Sequence, residues 1–599
     1  MKIAAAALNQ TPLDWDGNVA RIATAIQEAK KQNASLLLLP ELVLSGYGCE
    51  DYFFMPWLAD KVWHLLLSEI LPLSDRLGIG LGIPFWHDSK LYNGLAFCEK
   101  GKISGIYAKQ LLPHSGIFYE PRWFSSWSPN QKIQIEKDGQ SFWFGDFTLP
   151  FQGLQIGFEI CEDAWQVDKR PALFGAARDA DLILNASASN FARGKRSERQ
   201  EVITDLKDKN DAYYLYANLL GNESGRIIFD GELMFGAEGQ IWEAKNRLSF
   251  KEVEVTIFEM AEVRPSQPEV PSEENDFEDF TQACTLGLWD YLRKSGSKGF
   301  ALSLSGGADS AACAVLVAEM LRRLSSVYPK SEIEKKLLLT LKGKSWKDWV
   351  SQLLFCVYQS TENSSPITRF ASENIAKELN ASFFSWEIDG LVGTHVQHTE
   401  QFLGRKLDWK TDDLALQNIQ ARSRAPGIWL LANTQNLLLL TTSNRSEGAV
   451  GYCTMDGDTA GSLAPLAGVS KHFIRRWLVW AKENLGYSSL KEVIEQAPTA
   501  ELRPLSQKQT DEADLMPYHL LEEIESLFLW EQIAPQNLET EMKKRRPEVE
   551  PEKWPVYISK FLSLWKRSQW KRERLAPSFH LDRFNIDPKS GGRFPIFSK

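Results

Sequence analysis

Residues 158–165 read FEICEDAW, a cysteine at the end of an apolar run with Glu159, Glu162 and Asp163 beside it. Carboxylates next to a thiol raise its pKa and weaken it as a nucleophile. Cys161 can react only if a cation remote in sequence comes close in space. A second stretch, LSLSGGADS at residues 302–310, has the makings of a phosphate loop. Gly306 and Gly307 let the backbone turn sharply against an anion, and their amides and a following helix N-terminus can receive phosphate oxygens. Ser305 and Ser310 offer hydroxyls, and Asp309 stands where a carboxylate could hold Mg²⁺ against the phosphates. The KGKS at 342–345 lacks the upstream glycine and flanking strand of a Walker loop.

Both stretches need elements to hold them. The chain opens β-α-β: KIAAAALNQ is strand-like, Val19, Ile22, Ala23 and Ile26 recur at helical spacing, and SLLLLPE is a second buried strand. Strand-like runs continue through IGLGIPF, LYNGLAFCEK, LQIGFEIC, DLILNAS and YLYANLLG. VRPSQPEVPSEENDFED, rich in Pro, Glu and Ser, reads as a linker. A helix striped by Phe277, Phe280, Cys284, Leu288 and Tyr291 follows, then the phosphate loop between a strand and a helix. LLFCVYQS and NLLLLTTSN are further strands, and residues 321–350 read as an insertion. Strands alternating with helices predict a doubly wound parallel sheet with ligands at the strands' C-terminal ends.

The 599 residues carry a net charge of −10, which argues against a broad nucleic-acid surface. The seven cysteines are an odd number without a CxxC pair, as expected of a reduced cytoplasmic protein rather than a disulfide framework or zinc site. No apolar run approaches the ~18 residues of a membrane span, and the N-terminus reads as a strand, not a signal peptide.

SGGADS resembles the SGGxDS loop of the N-type ATP pyrophosphatases, which split ATP between the α and β phosphates and adenylate an acyl group for attack by nitrogen or sulfur. TTSNRSEGAVGYCTMDGDTAGSLAPLAGVSK, 441–471, is similar to the signature of the NAD synthetases. LALQNIQARSR, 414–424, resembles that family's dinucleotide-binding helix. PTAEL at 498–502, DE at 511–512 and the tail RSQWKRERLAP match in order. The resemblance implies ATP contacts from Ser303, Ser305, Gly306, Gly307, Asp309, Ser310, Thr442 and Lys471. It implies Mg²⁺ on Asp309 and Glu447, and deamido-NAD near Asn418, Arg422, Glu447 and Lys571. Met455 and Arg445 stand where the family often has lysine.

Adenylation leaves a carboxylate awaiting nitrogen, and the first half offers a source. LLLLPELVLSGY, IYAKQLLPHSGIFYE and GFEICEDAW place Glu41, Lys109 and Cys161 each just after a strand. They resemble the Glu-Lys-Cys signatures of the nitrilase superfamily, in the order of its glutaminase branch. In that likeness Lys109 favours the Cys161 thiolate and an oxyanion, Glu41 moves the proton, and Glu120 positions the lysine. Glu159 is expected to point away from the sulfur. NASASNFARGK resembles the family's substrate stretch, which gives Ser189 and Lys195 to glutamine, with Ser115 contributing a backbone carbonyl. The implied fold is α/β: a nitrilase-like αββα sandwich over residues 1–262, a linker over 263–276, and a Rossmann-like domain of the adenine nucleotide alpha hydrolase kind over 277–599. The implied activity is glutamine-dependent NAD synthesis by a cytoplasmic homo-oligomer with paired synthetase domains, acting on small molecules with no nucleic acid or membrane partner. One rival is an amide hydrolase whose second half only senses nucleotide, which Met455 favours. The other is a tRNA-modifying ATP pyrophosphatase, which the acidic charge disfavours.

Overall fold

The computed structural model describes residues 1–114, 116–207, 211–223, 225–237, 239–261, 272–496, 501–504 and 510–596. Ser115 and residues 498–500 of the PTAEL stretch therefore lie outside the described residues. The chain divides into two compact units, Met1–Ser272 and Glu273–Lys599. Most of the expected linker is outside the described residues. Residues 273–276, also expected there, form the first turn of the helix Glu273–Ser295.

The first unit is built on strands β1 (Lys2–Leu8), β2 (Leu36–Leu38), β3 (Gly78–His87), β4 (Lys90–Glu99), β5 (Lys102–Ala108), β6 (Lys132–Lys137), β7 (Gln140–Gly145) and β8 (Leu149–Phe151). It continues with β9 (Leu154–Ile160), β10 (Leu182–Ser187), β11 (Tyr213–Asn218), a ribbon of β12 (Leu220–Asn222) and β13 (Ile228–Asp230), then β14 (Leu233–Ala237), β15 (Gln240–Glu243) and β16 (Val253–Glu259). One sheet runs β16-β1-β2-β3-β4-β5-β7-β6 and the other β15-β14-β11-β10-β9-β8. In each, the central strands are parallel: β1, β2 and β3 in one, and β9, β10 and β11 in the other.

These strands read as unbroken apolar runs because both faces are covered. Ala4, Ala6 and Leu8 pack with Ile22, Ala25, Ile26 and Ala29 of the helix Trp15–Lys31. The sheets meet face to face, and Leu184 of β10 lies beside Gly80 of β3. Beyond the second sheet, Ile203 and Leu206 of the helix Lys195–Lys207 pack with Ile183, Tyr214 and Met234. The layers are the expected αββα sandwich.

The second unit holds β17 (Phe300–Ser303), β18 (Leu354–Ser360), β19 (Ser382–Glu387) and β20 (Leu438–Leu440) in the order β19-β18-β17-β20, all parallel. The order reverses beside β17, so connections leave β17 and β20 on opposite sides and open a crevice at their C-terminal ends. The fourth strand is shorter than its apolar run suggested. Thr441, Thr442 and Ser443 leave it as loop. Residues 321–327, read as insertion, are the last turns of the helix Ala308–Val327. The rest of that segment forms the helices Lys330–Leu337 and Trp346–Leu353. The KGKS run is a turn in which Gly343, at φ +80°, lets Ser345 cap the second of these.

Candidate functional sites

Cys161 follows β9 directly, at φ 42°. A non-glycine residue in the left-handed region stores strain, which persists only where the surroundings fix it. The neighbouring carboxylates are drawn elsewhere. Glu159 accepts from Arg170 Nε at 3.0 Å, from the Ala172 amide at 3.0 Å and from Tyr214 Oη at 2.7 Å. Glu162 accepts from Gln166 at 2.9 Å. Asp163 accepts from the amides of Ile160, Gln110 and Leu111 and from Tyr107 Oη, at 2.8–3.1 Å.

Glu41 sits in the turn after β2, and that turn lies on Gly82 of β3, where a Cβ would come within 2.1 Å of the Leu42 amide. Lys109 follows β5. Its Nζ donates to Glu41 Oε1 at 2.7 Å and to Glu120 Oε1 at 2.8 Å, with all three side chains buried. Glu41 also accepts from Asn93 Nδ2 at 2.7 Å and from the Ala188 amide at 2.8 Å, and Tyr47 donates to Glu120 at 2.8 Å.

Burial pushes the Glu41 carboxyl up to about 7, against the pull of the Lys109 ammonium, with Glu120 adding to the rise. Burial alone would lower Lys109, but Glu120 and Glu41 outweigh it and hold the ammonium charged. Burial pushes the Cys161 thiol up to about 12. Glu41 adds to that, and Lys109 opposes it. The sulfur therefore feels both the base and the cation, and at rest it is a thiol.

Beyond β10, the Ser189 amide donates to Asn218 Oδ1 at 2.8 Å, and its hydroxyl accepts from Arg199 at 3.3 Å. Lys195 Nζ donates to Asn190 Oδ1 at 2.6 Å and lies 5.5 Å over the Trp165 ring. Burial, then the charge of Arg199, brings Lys195 down to about 8. Asn93 and Asn190 were missed in the sequence. An asparagine inside the otherwise apolar LYNGLAF was the available signal for Asn93.

In the second unit a cavity of about 470 Å³ opens at the crevice. The phosphate loop, Thr442, Glu447 and Lys471 all face it. Gly306, at φ +81°, lies so close to the Thr368 carbonyl that a Cβ would come within 2.1 Å of its oxygen. The helix Ala308–Val327 starts there without a side-chain cap, so its first amides face the cavity unsatisfied by the chain's own side chains. Ser303 Oγ donates to Gln359 at 2.9 Å, and Ser305 and Ser310 hydroxyls meet at 3.1 Å.

Lys471 Nζ is ion-paired to Asp309 and lies 3.2 Å from Glu447 Oε1, so the two carboxylates converge on one point. Burial pushes Glu447 up to about 8, opposed by Lys471 and reinforced by Asp309. Two converging carboxylates suit a hard divalent cation that keeps water or phosphate oxygens as its other ligands. Among the described residues no group of three or more His, Cys, Asp or Glu is placed to hold an ion unaided. Asp511, quoted in the sequence without a role, also faces this cavity, and burial raises its carboxyl.

Three expected substrate residues lie off the cavity wall. Asn418 accepts from Thr454 Oγ1 at 2.9 Å, and exposed Arg422 donates to the Met455 carbonyl at 3.1 Å. From the helix Asp413–Gln435 they hold the 454–455 segment. Lys571 donates to the carbonyls of Gly451 and Cys453, at 2.7 and 2.8 Å, at the end of the helix Arg445–Val450. Arg445 is wholly buried, with Nη1 2.8 Å from Asp582 and Nε 3.2 Å from Glu525.

A buried Glu-Lys-Cys constellation on a four-layer sandwich, with a phosphate loop at the switch point of a parallel sheet, defines an amidohydrolase joined to an ATP-dependent acid-activating enzyme. The carbon-nitrogen hydrolase family model matches residues 2–261, and the NAD synthase family model matches residues 280–574. The crystal structure of a glutamine-dependent NAD(+) synthetase from Cytophaga hutchinsonii is similar over 100% of this chain and 98% of its own, at 40% identity and TM-score 0.89. The glutamine-dependent NAD(+) synthetases of Drosophila melanogaster and Homo sapiens are 28% and 27% identical, over 98% and 97% of this chain and 84% and 93% of theirs. This chain belongs to the glutamine-dependent NAD(+) synthetases.

Proposed function

We propose that the chain makes NAD from deamido-NAD with glutamine nitrogen, dividing the work between two sites. Cys161 Sγ attacks the glutamine side-chain amide as Glu41 takes the thiol proton. A thiol raised to about 12 is not ionised beforehand, so proton transfer and attack go together. Lys109 faces the oxyanion, and its two carboxylate partners fix it there. Glu41 passes its proton to departing ammonia, and water hydrolyses the thioester to glutamate. Ser189 and Lys195 hold the amino-acid end of glutamine.

In the second unit, Ser303, Ser305, Gly306, Gly307, Ser310 and Thr442 receive ATP. Mg²⁺ fits at Asp309 and Glu447, where it would neutralise phosphate charge. Lys471, poised between those carboxylates, moves onto the phosphates. The nicotinate carboxylate attacks the α-phosphorus and releases pyrophosphate. Ammonia then attacks the adenylated carbonyl and releases AMP. Asn418 and Arg422 shape the deamido-NAD side by holding residues 454–455, and Lys571 does so by holding residues 451–453. Domains of 1–262 and 277–599 follow this division. The setting is cytoplasmic, which the seven free thiols support. Among the described residues no helix is long and apolar enough to cross a membrane. A homo-oligomer through the synthetase domains is supported by the helix Asp389–Leu403, which buries none of its residues and leaves Phe402 89% exposed.

The observation that carries this reading is the single buried lysine nitrogen bridging Glu41 and Glu120 within electrostatic reach of Cys161. NAD formation with glutamine or with ammonium as nitrogen source tests it. Cys161→Ala abolishes the glutamine-driven reaction and spares the ammonium-driven one, and Asp309→Ala stops both. Glutamine use surviving in Cys161→Ala would refute the nucleophile.

A further inference from the structure

Asp163 is buried two residues after the nucleophile, and the reaction as written does not use it. Its Oδ1 accepts from the amides of Gln110 at 3.1 Å and Leu111 at 2.8 Å, the two residues that follow Lys109. Its Oδ2 accepts from the Ile160 amide at 3.0 Å and from Tyr107 Oη at 2.9 Å. Tyr107 lies two residues before Lys109, and Ile160 is the residue before strained Cys161. One carboxylate therefore grips the chain on both sides of the cation and at the entrance to the nucleophile turn. All four partners donate, so the acceptor-rich ionised form satisfies them best, against burial that raises the carboxyl to about 7.

We propose that Asp163 is the positioning residue of the glutaminase site. It locks the strand end carrying Lys109 to the turn carrying Cys161, and so sets the distance between ammonium and sulfur. The assignment rests on the glutaminase reading above. It also explains why a carboxylate stands beside a nucleophile that negative charge should weaken: its lone pairs are consumed by the backbone that aims the compensating cation.

The two explanations of Asp163 differ in sign. If Asp163 were only a nearby negative charge, neutralising it would ease thiolate formation and speed alkylation of Cys161. If it positions Lys109, neutralising it slows alkylation. Asparagine keeps the shape but replaces one acceptor oxygen with a donor, so at least one of the two strand connections breaks. The experiment uses full-length Asp163→Asn and measures iodoacetamide alkylation of Cys161, kcat and KM with glutamine, and NAD formation with ammonium.

We expect alkylation about tenfold slower, the change that one unit of thiol pKa would make. We expect kcat with glutamine to fall about a hundredfold, as misplaced reacting groups do, with KM within a few-fold and ammonium-driven synthesis unchanged. Tyr107→Phe removes one donor without touching the carboxylate and gives a smaller loss in the same direction. It carries the test if Asp163→Asn does not fold. Faster alkylation, wild-type glutamine turnover in both variants, or an equal loss of the ammonium reaction would overturn the proposal. Failure of the underlying reading looks different: wild-type protein would make no NAD from glutamine, or Cys161→Ala would still do so.

Discussion

At the nitrogen of Lys109, burial and charge pull in opposite directions, and charge wins because two carboxylates lie within 2.8 Å. The same cluster leaves Glu41 as a base near neutrality, raised to about 7 by burial despite its lysine partner. A carboxyl raised this far is protonated below pH 7, and only its ionised form accepts the thiol proton. Glutamine hydrolysis, followed as glutamate release, should therefore fall about tenfold per pH unit below 7 and level off above it. The apparent midpoint belongs to the coupled Glu41–Lys109–Glu120 cluster. Glu41→Gln should lose most of the rate, and a wild-type profile flat from about pH 5 to 8 would contradict Glu41 as the base. Cys161, Lys109 and Glu41 were singled out in the sequence because three ordered segments, each following a strand-like run, resemble the nitrilase signatures. The partners that tune them were not: Asp163 and Tyr47 reach the cluster through contacts that no local pattern records, and Asn93 left only the mark of an asparagine in an apolar run.

Elements place these groups by close approach. Glu41 stands where it does because β3 offers Gly82 beneath its turn, and β17 feeds a phosphate loop that Gly306 allows to lie on the Thr368 carbonyl. Gly82→Ala forces a Cβ into the backbone of Glu41 and Leu42, which displaces the base without removing it. Its glutamine-driven kcat should drop about a hundredfold, while ammonium-driven synthesis stays near wild type. Equal activity with both nitrogen sources would show that the turn adapts and that the glycine is dispensable. The periodicities gave the strands and the doubly wound sheet, since unbroken apolar runs follow from burial on both faces, while the αββα layering came from the resemblance to the nitrilase superfamily. They misjudged ends. Thr441 and Thr442 look like strand but leave the sheet to face the cavity, and residues 321–327 look like an insertion but complete a buried helix. At both places tertiary contacts, not local propensity, decide where the element stops.

The whole molecule joins a carbon-nitrogen hydrolase domain and an NAD synthase domain in one chain. The second unit also buries charged side chains, Arg445, Lys471 and Glu525 among them. Arg445 ties the helix carrying Glu447 to the helix Tyr518–Glu525 through Glu525 and to the C-terminal segment through Asp582. A planar guanidinium can serve both carboxylates at once, which a lysine serves less well. Lys571 and Arg422, expected at the substrate, donate to the carbonyls of residues 451, 453 and 455. The central claim is that nitrogen released at Cys161 becomes the amide nitrogen of NAD. It is tested most directly with glutamine isotopically labelled at its side-chain amide, supplied with deamido-NAD, ATP and Mg²⁺, and with the mass of the NAD product read out. The account predicts NAD carrying the label in its nicotinamide group. Label recovered only as free ammonia, with no labelled NAD formed, would contradict it.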